Sequence, residues 1–128
     1  MLLQLDLGGS YMIVVENLKK VYREDGVEYN YAYRMTKSKI CLSGYENPIE
    51  LQSYGIEIER QDIVKGDIIN IERDYVRNIS CQRYKIHRLL KLLYNNSVSP
   101  IHLIDILGEY VDKYIEDFDN QLKEIAMN

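Results

Sequence analysis

Asp25-Gly26 lies between two stretches of strand-like sequence, and this arrangement constrains the chain more than any other feature. Val27, Tyr29, Tyr31, Tyr33 and Met35 alternate with Glu28, Asn30, Ala32, Arg34 and Thr36, the period of a strand with one buried face. Asp-Gly favours a two-residue type I′ turn, because both positions need positive φ. A hairpin over residues 12–36 follows. Its register sets Arg23 against Glu28, Tyr22 against Tyr29 and Leu18 against Tyr33, each a chemically matched pair.

A second hairpin is predicted from Ile56-Glu57-Ile58-Glu59-Arg60 and Ile69-Asn70-Ile71-Glu72-Arg73, with Lys65-Gly66 as the turn. Ile58 and Arg60 are out of phase with Ile63, so a bulge is expected near Gln61-Asp62. Residues 37–53 are weaker, with a short strand over Lys39 to Leu42 and a loop over Gly44 to Pro48.

The last third reads as two helices. Ser80 is a good N-cap for a first helix over 80–95, with Ile86, Leu89, Leu90 and Leu93 as its apolar stripe. Ser99-Pro100 starts a second helix over 99–125, with Val98 and Leu103 placed as a hydrophobic staple. Its apolar face reads Ile101, Ile104, Leu107, Val111, Tyr114 and Phe118, continuing to Leu122 and Ile125. The fold expected is α+β: an antiparallel sheet of about four to six strands over 12–79, covered on one face by a helical hairpin.

The two helices carry opposite charge. Arg77, Arg83, Lys85, Arg88 and Lys91 form a basic run, whereas Asp105, Glu109, Asp112, Glu116, Asp117, Asp119 and Glu124 outnumber Lys113 and Lys123. Attraction between neighbouring helix rims is the plain explanation, with phosphate contact by the basic helix as the alternative. The turn 96–103 resembles that of helix-turn-helix proteins, yet Asp105 and Glu109 on the following helix would repel phosphate. A net charge of −4 over 128 residues also disfavours nucleic-acid binding by the whole surface.

No stretch names a reaction. Glu57, Glu59, Glu72 and Asp74 sit beside Arg60 and Arg73, so cross-strand ion pairs account for them better than general acid–base work. His87 and His102 form no metal-ligand spacing, and no metal or cofactor is implied. Cys81 lies among cations at a helix start, where a thiol pKa can fall; an inert cysteine needs fewer assumptions, since no base or resolving cysteine accompanies it. Cys41 and Cys81 read as free thiols in a reducing cytoplasm, with one disulfide between them as the alternative. The tyrosine row 29, 31, 33 could stack bases, but a half-buried packing face is the commoner use. No apolar run approaches the roughly 20 residues of a membrane span.

Tyr54-Gly55-Ile56-Glu57-Ile58-Glu59-Arg60, the lead-in Asn78-Ile79-Ser80 and the segment Leu89 to Tyr110 give the chain a further likeness. Over Met12 to about Phe118 it resembles a family of small uncharacterised proteins of spore-forming Gram-positive bacteria. That resemblance implies a bacterial, cytoplasmic, non-enzymatic role and supplies no activity or ligand. Residues 1–11 fall outside it. Gly8-Gly9 can be encoded by a purine-rich ribosome-binding sequence just before Met12, so residues 1–11 are expected to be an upstream-start or disordered extension, which intact mass from the native locus would test.

The function expected is therefore a small cytoplasmic non-enzymatic interaction or regulatory module, with a nucleic-acid-binding regulator as the alternative. The second helix is about 40 Å long against about 22 Å for the first, so Tyr110, Tyr114, Phe118, Leu122 and Ile125 are expected to join a homodimer or another protein.

Overall fold

The computed structural model describes residues 3–5, 11–42 and 49–127. Four long strands, β2 (Tyr11–Glu24), β3 (Val27–Leu42), β4 (Ile49–Val64) and β5 (Asp67–Ser80), follow a short β1 (Leu3–Leu5). All neighbours are antiparallel, in the order β1-β2-β3-β4-β5. Helix α1 (Arg83–Asn95), a 3-10 turn (Pro100–His102) and α2 (Leu103–Met127) complete the chain.

The first hairpin has the register that its turn dictates. Leu18 pairs with Tyr33, Tyr22 with Tyr29 and Arg23 with Glu28. Asp25 and Gly26 take φ of 51° and 79°, and Lys65 and Gly66 repeat the geometry at 51° and 84°, the positive values a type I′ turn needs. The expected bulge falls between Asp62 and Ile63: Asp62 pairs with Asn70 and Ile63 with Ile68, leaving Ile69 as the extra residue.

β3 and β4 run much further than their alternation suggested. β3 is unbroken to Leu42, and β4 already begins at Ile49. The loop expected over Gly44 to Pro48 lies outside the described residues. Of the segment expected to be an extension, Leu3–Leu5 pairs with β2 and Tyr11 opens β2.

A second irregularity was not foreseen. Ile56 pairs with Val76 and Tyr54 with Ser80, so Gly55 alone faces residues 77–79 of β5. A Cβ at Gly55 would lie 2.2 Å from the carbonyl oxygens of both Val76 and Arg77. Only glycine admits so close a backbone approach.

Alternation along β3 and β4 puts Tyr33, Met35, Ile56 and Ile58 on one face, which joins Ile86, Leu89, Leu90, Leu93, Leu103 and Leu107 in the core. The stripe of α1 is as the sequence predicts. That of α2 holds from Leu107 through Val111, Tyr114 and Phe118 but not at its start, where Ile101 and Ile104 are 73% and 55% exposed and Leu103 is fully buried. The 3-10 turn between Pro100 and His102 changes the angular position at which α2 starts, so counting from Ile101 misplaces the first turn of the stripe.

Ser80 is not a helix cap. It ends β5, and α1 begins three residues later with Gln82 at its N-cap. The Ser80 hydroxyl instead accepts a bond from the Gln82 amide at 3.0 Å and donates to Asp117 at 2.6 Å. At the far end the turn between the helices is held to the sheet. Lys20 Nζ donates to Ser97 Oγ at 3.0 Å and also bonds the Tyr94 carbonyl, and the Tyr33 hydroxyl donates to the Val98 carbonyl at 2.8 Å.

Candidate interaction surface

The two helices touch through a partly buried polar contact. Lys85 Nζ reaches both carboxylate oxygens of Asp117, at 2.8 and 3.0 Å, and lies 5.0 Å from the centre of the Tyr114 ring. Burial alone would raise the Asp117 carboxyl. Hydrogen bonds from Lys85 and Ser80 outweigh it and hold the group below its ordinary value. The same bond to Asp117 raises Lys85. Rim attraction between the helices is thus concentrated in one pair.

Lys85 and Asp117 mark the flanks on which the helices meet, and the remaining charge points elsewhere. Tyr84, Arg88 and Lys91 stand about half a turn from the sheet-facing stripe of α1, and all three are exposed. Asp105, Glu109, Asp112 and Glu116 occupy the matching outer side of α2 and are exposed as well. In the helical layer, the ion pairs found among the described residues use only Lys85 and His87, the latter bonded to Glu16 at 2.9 Å. Large apolar side chains share this surface: Tyr84 is 57%, Leu92 44% and Ile106 37% exposed.

The five basic residues expected to act together are therefore divided. Arg77 belongs to the kinked end of β5 and Lys85 to the seam, which leaves Arg83, Arg88 and Lys91 on the open side of α1. The distal stripe divides too. Tyr110 and Tyr114 pack on the core, and Phe118 and Leu122 line a 270 Å³ groove with Ile40, Leu42, Leu51 and Ile79. Only Ile125 of that set is exposed. Most of the stripe is covered by the domain itself.

The carboxylates on the sheet form two separate systems. Glu57 and Glu59, on the face opposite the helices, bond Arg34 at 2.8 and 3.1 Å, and Arg73 lies 3.7 Å from Glu59. On the helix face, Arg60 holds Asp62 at 2.8 Å and Glu72 at 3.4 Å. Arg34 was not legible as the partner of Glu57 because the β3–β4 connection is longer than the two-residue turns from which a register can be read. Tyr33 is fully buried with Tyr31 stacked beside it, so this part of the tyrosine row is packing. His102 is exposed.

Cys81 lies between β5 and α1, its thiol 3.4 Å from the Asp117 carbonyl. Burial, and then the Asp117 charge, push that thiol up, opposite to the lowering expected from a helix start among cations. Cys41 and Cys81 are both free. No three potential metal ligands cluster among the described residues, and no described helix is long and apolar enough to cross a membrane.

Taken together these features define a small α+β domain: an antiparallel meander carrying a helical pair of opposite outward charge. The chain belongs to a family of unknown function (DUF6514), which it matches over residues 12–113. No curated protein and no solved structure is significantly similar to it.

Proposed function

We propose that this protein is a small cytoplasmic, non-enzymatic interaction module that regulates or is regulated through protein docking on its helical layer. The observation that carries this reading is the outer surface of α1 and α2, where exposed charges of both signs flank exposed Tyr84, Leu92 and Ile106. Exposed apolar side chains rimmed by charge are the usual composition of a protein interface. The resemblance to small proteins of spore-forming bacteria supports a bacterial setting.

A photo-crosslinking residue at Leu92 tests this in the source cell, with Val21 (49% exposed, on β2) as the control position. A discrete protein adduct from position 92 and none from 21 supports the reading. No adduct from 92 overturns it.

The second reading is a nucleic-acid-binding regulator, which Arg83, Arg88 and Lys91 favour because they are exposed on one helix with no carboxylate on it. Electrophoretic mobility with mixed DNA and RNA at low salt decides. Salt-sensitive binding that disappears in the triple Glu variant would replace the first reading with the second.

A further inference from the structure

We infer that the occupant of the helical layer is a second copy of this chain, docked about a two-fold axis that runs parallel to the helices above their seam. This rests on the protein-docking reading of that layer. The two outer surfaces are complementary to each other but cannot meet within one chain, because both point away from the sheet. Rotation by half a turn about such an axis places the basic α1 of one copy over the acidic α2 of the other, and the reverse contact follows by symmetry.

The seam fixes how the charges align. Lys85 and Asp117 meet, and the chain reverses through the turn at residues 96–99, so Arg88 comes level with about residue 114 and Lys91 with about residue 111. Rotation about an axis parallel to the helices keeps these levels. Arg88 then faces Asp112 and Glu116 of the second copy, and Lys91 faces Glu109 and Asp112.

The apolar residues fall on the axis. Leu92 follows Lys85 by seven residues, and Ile106 precedes Asp117 by eleven, spacings that return each to the seam flank within about 20° at 100° per residue. Both are partly exposed, at 44% and 37%. In the dimer each meets its own symmetry mate. The overlap is limited to about 20 Å of each helix, a small interface, so association in the micromolar range is expected.

Complementary charge reversal tests the arrangement. One variant carries Arg88→Glu and Lys91→Glu, the other Asp112→Lys and Glu116→Lys; all four positions are exposed, so circular dichroism should match the unmodified chain. By sedimentation velocity at about 100 μM, the unmodified protein should be dimeric and each variant alone monomeric. Association of each variant should be weaker by on the order of a hundredfold, since like charges are set opposite each other. An equimolar mixture should recover the dimer, because both of its helix contacts again join opposite charges. A monomeric unmodified chain, or variants that dimerise alone, overturns the inference. If the purified chain is monomeric while position 92 crosslinks to a different protein, this inference fails and the docking reading stands.

Discussion

Glu57 and Ile58 are neighbours on β4, 3% and 0% exposed, and they are buried for different reasons. Ile58 lies under the helices in the apolar core. Glu57 faces the other way, where its carboxylate is held by Arg34 at 2.8 Å. Burial on the first face comes from packing, which any apolar residue of suitable volume can supply. On the second it depends on one specific partner, because a buried charge without one is costly. Low exposure alone therefore does not say what a residue contributes.

Substitutions can break this contrast at several points. The largest effect belongs to neither face. Gly55→Ala pushes a methyl into two β5 carbonyls, and a loss on the order of 4 kcal/mol or more is expected, read as failure to fold or a collapsed denaturation midpoint.

Ile58→Ala should cost about 3–4 kcal/mol through transfer and cavity terms, and Arg34→Ala about 3 kcal/mol by stranding the buried Glu57 carboxylate. The two faces separate in the next step. Replacing Arg34 and Glu57 together by Leu should recover most of the Arg34→Ala loss, whereas adding Arg34→Leu to Ile58→Ala should recover nothing. Urea denaturation of the set measures both. Equal recovery in the two backgrounds would erase the distinction.

Asp117→Asn at the helix seam should cost about 1–2 kcal/mol, because Lys85 and Ser80 lose a charged acceptor. Its direction with pH is fixed. The folded carboxyl titrates below its ordinary value, so its contribution is fully present above the unfolded pKa of about 4 and is lost as pH falls through the lower folded value. The Asn variant should lack that part of the acid dependence. Smallest of all, Arg23→Ala should cost under about 0.5 kcal/mol: its pair with Glu28 is at 2.9 Å, but the arginine is 76% exposed.

Much of the architecture was legible in the residues. Two dipeptide turns set two hairpin registers, and the stripe of α1 was readable because no irregular turn precedes its counting frame. Where local signals stop, the reading failed. The β3–β4 register, and with it the Arg34 pairs, depends on a connection too long for its residues to set a register. The α2 stripe was legible from Leu107 on, but its start at Ile101 and Ile104 was not, because a 3-10 turn precedes the helix. Ser80 has an N-cap's composition, but α1 starts three residues later, and the serine hydroxyl accepts from the Gln82 amide while donating to Asp117, 37 residues away. As for the surface, charge sign was plain in the sequence, while its division into one inner pair and two outer faces required the fold.

Tyr84 and Tyr75 provide the most direct test of the helical layer as the docking surface. They are 57% and 53% exposed in the single chain, the first on outer α1 and the second on the sheet face opposite the helices. Hydroxyl-radical footprinting of the purified protein at about 1 μM and about 100 μM, concentrations chosen to span a micromolar association, compares them within one molecule. The account predicts similar modification of both when dilute, and selective protection of Tyr84 when concentrated. Equal modification at both concentrations, or protection of Tyr75 instead, would contradict it.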